Sequence, residues 1–407
     1  MHNHFHYSHA LRSSFLALTM VTAAGTLQAG IAPLGDHDGI TLEAPNENGV
    51  IIARQYEPRA ILSLTELDIG PGEVLRIVFG NEDRMVCDGD QITLIEVSEG
   101  DVSETASVTG GIESPCRIAL RGKKYVELNE GSYINAASVW ATTNVIDRTE
   151  FLESDIVPAG THARAGWIKN RGLITTQGIN GDNAYVVFTA PQVLHYKGAK
   201  IDLQARGDVN FVATNNEAVD IHSGNVEEQG SLGTMHDGHF SEEPAIAFYG
   251  RVHIYRGGNL SIYTNMEESL AKGLENFRGV PAIDVTGVAW VYNTHGAIDS
   301  SIPMDGCISV ETSEWAKVKF QAFASLFAVG NNSCGIRVDG KEISLGDENV
   351  HRRMRLSARG RYNGGDIHIG SESTKQIVWR PNVITDTVGR NGEDGNVYKV
   401  ADKIVEE

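Results

Sequence analysis

The 407-residue chain carries 53 acidic against 34 basic side chains, a formal charge of −19, with 41% hydrophobic residues, 21% charged residues and 44 glycines. That acidity excludes nucleic acid and anionic membrane as partners, because both would repel it. The apolar share and the glycines describe a folded, turn-rich chain and exclude a disordered one, while the length leaves open several ordinary domains or one elongated β-fold.

At the N-terminus, Arg12 precedes an apolar and small-residue run over 15–24 that ends at Thr26-Leu27-Gln28-Ala29. The run is too short to span a bilayer and a small residue follows it, which predicts a secretory signal over 1–29 cut after Ala29. His2, His4, His6 and His9 would leave with it. Beyond this segment no apolar run is long enough to cross a membrane as a helix, so the product is expected to be released or held non-covalently.

Short strands are predicted over 40–52, 60–67 and 74–79, the last two joined by the turn Gly70-Pro71-Gly72. The polar stretch 86–108 reads as an excursion with its own hairpin. From 138 to 213 the β-prone runs 167–168, 185–189, 200–203 and 209–212 alternate with Gly and Asn turns too closely for crossover helices. That is how a parallel β-helix reads, since each turn of such a coil buries its apolar residues against the turns above and below. After a loop over 220–243, strand-like runs continue to 379, interrupted by Met266, Leu270, Leu274 and Phe277 at helical spacing, which predict one short lateral helix over 266–277. Rungs of about 20 to 25 residues would give a rod of roughly 70 to 80 Å.

Four cysteines in an exported chain read as disulfides. Cys87 with Cys116 and Cys307 with Cys334 is the favoured pairing, because each separation is close to one or two turns of the coil. A four-thiolate metal site lacks the C-x-x-C spacing it would need.

Several landmarks together resemble a known family: Asp68-Ile69-Gly70-Pro71-Gly72-Glu73-Val74, Ala141-Thr142-Thr143, Ile146-Asp147 with Glu150-Phe151-Leu152, Asn170-Arg171-Gly172-Leu173-Ile174, and Ala190-Pro191-Gln192-Val193. The stretch 40–213 is similar to the N-terminal secretion domain of filamentous-haemagglutinin-like exoproteins, the two-partner secretion adhesins of Gram-negative bacteria. The resemblance implies an all-β, right-handed parallel β-helix with capping strands. It also implies export through an outer-membrane two-partner transporter, a secreted or cell-surface location, and adhesion to a host-cell or glycan ligand. The expected organisation is a signal over 1–29, a secretion domain over 30–215, a β-helix continuation over 216–380, and a cap with a loose acidic tail over 381–407. Where the family has an Asn-Pro-Asn-Gly turn, this chain has Gly122-Lys123-Lys124-Tyr125, either a plain solvated turn or an altered transporter-recognition site.

No P-loop, G-x-G-x-x-G, H-E-x-x-H or G-x-S-x-G occurs, and no cofactor or metal is implied. Weaker matches are His236-Asp237-Gly238-His239 for a metal, Ser269 and Lys272 for an acyl-serine pair, Arg206-Gly207-Asp208 for a receptor tripeptide, and 391–396 for Ca²⁺. The competing class is a β-helix polysaccharide lyase or glycoside hydrolase, which needs clustered carboxylates with a base. Outward positions such as Asp202 and Asp284 with Arg251 could supply them.

Overall fold

The computed structural model describes residues 30–33, 37–80, 87, 89–97, 104–160, 166–179, 184–233, 235, 242–293, 306–348 and 351–407. The expected signal segment and His236-Asp237-Gly238-His239 lie outside them. One turn of the chain explains the rest. Arg117–Arg121 lies on a first face, Tyr125–Leu128 on a second and Tyr133–Ala136 on a third, and Ser138–Thr142 then returns to pair in parallel with Arg117–Arg121. Repeated along the chain, this builds the parallel β-helix that the sequence predicts, with three strands per rung.

Face III is a 12-stranded sheet, parallel except for Ile40–Leu42, which lies antiparallel on Val50–Gln55. Faces I and II fuse into one 22-stranded sheet because Arg59–Ile69 bends across their corner. Its start pairs with Ile92–Val97 on face I and its end with Thr105–Val108 on face II. Gly30–Pro33 runs antiparallel along the same strand. These two antiparallel strands cap the end where the first parallel rung would otherwise offer a bare edge.

Inward positions form ladders. On face I, Val139, Val186, Val209, Leu260, Ile308, Ile336 and Ile367 share one register position on successive rungs and are at most 1% exposed. Each such side chain contributes about 1.5–3 kcal/mol of burial, and β-branched residues suit the flat, repeated surface. Where the chain turns from face II to face III, the buried His195 replaces an apolar residue. Its Nδ1 lies 3.1 Å from Asn170 Nδ2 and its Nε2 3.2 Å from the Arg251 carbonyl, while Asn170 Oδ1 accepts from Gly172 N–H. An amide NH₂ can only donate and a carbonyl only accept, so the ring is neutral with its proton on Nε2. Burial accordingly holds its pKa down to about 4.

Four expectations need correction. Residues 92–97 and 105–108 are rung strands, so 86–108 is not an excursion. The loose tail expected over 381–407 is the last rung, since Val383–Asp386, Val397–Lys399 and Lys403–Glu406 pair with faces III, I and II. There are two helices among the described residues, α1 (Arg148–Glu153) and α2 (Glu268–Arg278), rather than one. The rod is also shorter: the eleven parallel strands of face III, ~4.8 Å apart, stack to roughly 50 Å. Turns are uneven, and the residue above Tyr125 on face II is Trp167, well beyond a minimal rung. The disulfides are those predicted, with Cα–Cα distances of 5.2 Å for Cys87–Cys116 and 4.9 Å for Cys307–Cys334. Helix α2 is less lateral than expected, because Leu270, Ala271 and Leu274 join the main core. Its Glu275 also reaches Lys317 at 3.1 Å and Lys341 at 3.3 Å on later rungs.

Two long turns, one after Ser138–Thr142 and one after Gly207–Ala213, together build an element that the sequence did not predict. Val145–Ile146, Ile156–Gly160, Asn216–Asp220 and Val226–Gln229 form a four-stranded antiparallel sheet. With α1, capped by Asp147, it covers the outside of face I. Beneath it one outward ladder is apolar, Ile61, Leu94, Ala119, Trp140 and Val187, while the ladder beside it is mixed, with Arg59, Ile92, Arg117 and Ser138 in register and Ile92 and Tyr185 joining the apolar cluster. The next ladder is polar: Ser63, Glu96, Arg121, Thr142 and Thr189. Within it Ser63 donates to Glu96 at 3.1 Å and Arg121 to Glu96 at 3.3 Å, and the threonines are satisfied from above, as buried polar groups must be. Glu217 of the covering sheet accepts from Thr142 Oγ1 at 3.0 Å, from Thr189 Oγ1 at 2.7 Å and from Asn144 Nδ2. Burial outweighs these three neutral donors and pushes the Glu217 carboxyl up to about 7.

Candidate functional site

The corners between faces II and III differ in length from rung to rung. Tyr249-Gly250 and Thr286-Gly287 take two residues each between flanking strands, whereas 196–199 before them, 321–324 after them and 346–353 beyond are longer. Short corners require glycine here. A Cβ on Gly250 would strike the His195 ring, and one on Gly287 would strike the Phe248 ring and the Gly250 carbonyl. Two recessed corners between protruding ones leave a groove of ≈ 780 Å³.

Its lower wall carries Lys197, Lys200 and Arg251, its floor Thr286 and Val288, and its upper wall Phe323 and Arg352. The Arg352 guanidinium sits 5.1 Å from the centre of the Phe323 ring, a cation–π distance. Lys200 Nζ meets Asp202 at 2.5 Å. Alongside, on the outward face of the same face III strands, His253, Trp290 and Phe327 stand on successive rungs. Trp290 and Phe327 are stacked, with centroids 5.6 Å apart. A positively charged, aromatic-rimmed recess in a chain of net charge −19 is suited to an anion.

The carboxylates that the sequence offered for catalysis are not brought together. Asp202 and Arg251 stand on face III, whereas Asp284 stands on face II between Ala247 and Lys319. Asp202 is held by Lys200 and faces His253 Nδ1 at 3.4 Å. Asp284 Oδ2 accepts from Tyr249 Oη at 3.0 Å and from Gln321 Nε2 at 2.5 Å, and burial raises its pKa. Only Arg251 of the three lines the groove.

The Gly122-Lys123-Lys124-Tyr125 turn is a packed corner. A Cβ on Gly122 would overlap the Tyr125 carbonyl. Lys124 pairs with Glu104 at 3.4 Å, and the Tyr125 ring stacks 3.9 Å from Trp167 on the next rung. It is therefore half-buried rather than freely solvated. Ser269 and Lys272 are both exposed, with Lys272 paired to Glu268 at 2.5 Å. Asp208 of the Arg206-Gly207-Asp208 tripeptide accepts from Asn259 N–H at 2.7 Å, so its carboxylate is used within the fold. In 391–396, Asp394 caps Gly389 N–H at 2.8 Å. Among the described residues no three or more His, Cys, Asp or Glu side chains cluster as metal ligands. No described helix is long and apolar enough to cross a membrane.

The groove was not legible from sequence, because its residues come from five separate corners and from the strands that follow three of them. Its nearest signals were the Tyr249-Gly250 and Thr286-Gly287 dipeptides between β-prone runs. The sequence matches no protein-family model and no curated protein. Among solved structures, the fold is similar to the crystal structure of the HMW1 secretion domain from Haemophilus influenzae, with a TM-score of 0.56 at 13% sequence identity, covering 93% of this chain and 100% of that one.

Proposed function

We infer that this chain is an exported exoprotein of the two-partner type. Its β-helix would pass the outer membrane of a Gram-negative-type cell through a dedicated transporter and then present a long surface for adhesion to a host-cell or glycan ligand. The observation that carries this reading is the full-length likeness of the fold to a structure described as a secretion domain. The leader expected over 1–29 and the landmark residues between 68 and 193 support it, and the dispersal of Asp202, Asp284 and Arg251 weighs for a non-enzymatic role.

The test is co-expression with the outer-membrane transporter encoded nearest the gene. The chain should reach the medium or cell surface with the transporter and stay in the periplasm without it. Retention in both strains, or release in both, would sink the reading. Within it, the Gly122–Tyr125 turn acts as a packed corner, so Lys123→Ala should leave export unchanged. A severalfold fall in export with unaltered stability would make the turn a transporter contact instead.

A further inference from the structure

Two local costs meet at the groove between faces II and III. Lys200 and Arg251 stand directly opposite each other on adjacent rungs, where like charges repel. Asp202 answers Lys200. Among the described residues, no carboxylate stands within ion-pair range of Arg251, Lys197 or Arg352. On the opposite wall, Phe323 holds a φ of 71°, the one positive φ recorded for a described residue other than glycine. Glycine takes that conformation freely and phenylalanine does not. Burial does not compensate, since Phe323 is 57% exposed.

The fold needs neither feature. The four-residue corner 196–199 places Gly198, with a φ of 99°, at the position that Phe323 takes in 321–324, and an uncharged residue at 251 would pair as well in the ladder. Local costs of this kind persist where a site uses them. Here both point into one recess, with the strained ring as its rim and the repelling cations as its wall.

We propose that this groove binds a single acidic sugar unit, a hexose bearing a carboxylate or a sulfate. A volume of ≈ 780 Å³ lies within the range of small-ligand pockets. Arg251 and Arg352 offer planar forks suited to a carboxylate or sulfate, and Lys197 adds a mobile point charge. The exposed Phe323 ring offers an electron-rich face to the polarised C–H edge of a sugar, and the Thr286 hydroxyl offers a partner to its hydroxyls. The recess gathers Lys197, Lys200, Arg251 and Arg352 in a chain whose net charge is −19. That selects a ligand with one or two anionic groups and disfavours an extended polyphosphate, which needs a basic stripe. The inference deepens the adhesive reading by naming a ligand class. Purified protein tests it, so a failure of export and a failure of sugar binding are separate results.

The experiment is calorimetric titration of the purified, disulfide-intact chain with glucuronic acid, glucose 6-sulfate, glucose and inorganic sulfate, each at low and high salt. At least one acidic sugar should bind tenfold or more tightly than both glucose and inorganic sulfate, and its binding should weaken as salt rises. A preference between the two acids identifies carboxylate or sulfate as the natural group. Arg251→Ala with Arg352→Ala should weaken binding at least tenfold. Phe323→Gly should weaken it severalfold while leaving Tm unchanged or higher, because the substitution relieves strain; a purely structural phenylalanine would show the opposite. Lys375→Ala, at an exposed pair with Asp402 outside the groove, should change nothing. Equal affinity for inorganic sulfate, binding indifferent to the groove variants, or no saturable binding of either acidic sugar by folded protein would each overturn the proposal.

Discussion

Glu217 shows how a single side chain sets a pH response. Its carboxyl is buried among three neutral donors, and its pKa is raised from 4.5 to about 7. An acid raised in the folded state binds its proton more tightly there than in the unfolded chain. It therefore contributes stability that is complete below pH 4.5 and is lost as pH rises through 7. The loss is on the order of 3 kcal/mol for this shift. His195 acts with the opposite sign: its pKa is lowered to about 4, so its contribution is present above about 6.5 and is lost as pH falls toward 4. Comparison with Glu217→Gln separates the two, because His195 is common to both proteins. Urea titrations at pH 5 and pH 8 should show the wild-type chain losing more stability with rising pH than the variant does. Parallel pH profiles would mean that Glu217 is charged throughout.

At the scale of elements, the covering sheet with α1 is the part joined to the β-helix from outside. It is seated on Trp140, whose indole Nε1 donates to Thr189 Oγ1 at 3.0 Å while the ring lies in the apolar cluster with Phe151, Val157 and Val219. Trp140→Ala removes that seat and should cost about 3–5 kcal/mol. The rungs keep their inward ladders in this variant, so the loss should be local. Limited proteolysis should cut within 145–160 or 216–229 well before the rungs from 246 onward. Simultaneous cleavage along the whole chain would show that the sheet and the β-helix unfold as one unit.

For the whole molecule, stacked rungs make stability nearly a sum of nearest-neighbour terms, since each turn touches mainly the turns beside it. Cys307–Cys334 joins neighbouring rungs of face I, where Cys307 pairs with Gly335. Replacing both cysteines by serine releases a constraint on the unfolded chain worth roughly 2–4 kcal/mol. Hydrogen exchange should then quicken on the rungs around 307–339 and stay unchanged near Cys87–Cys116. Uniform acceleration along the rod would contradict a nearest-neighbour account.

The sequence by itself determined the class of fold. Short runs such as 200–203 and 209–212, broken by Gly and Asn, cannot accommodate crossover helices and so must coil, and the spacing of the four cysteines matches one or two turns of that coil. The helix over 268–278 was legible from its apolar spacing for a similarly local reason. The tertiary structure alone decided what stacks on what. Strands 92–97 and 184–190 are buried at every position, a sign of cover on both sides, yet nothing local says that the cover is supplied by 145–160 and 216–229. Likewise Lys200, Arg251, Phe323 and Arg352 meet because the lengths of the intervening turns place their corners on neighbouring rungs. Turn length is free to vary without disturbing the inward ladders, so the pattern that specifies the coil does not specify the register of its surface.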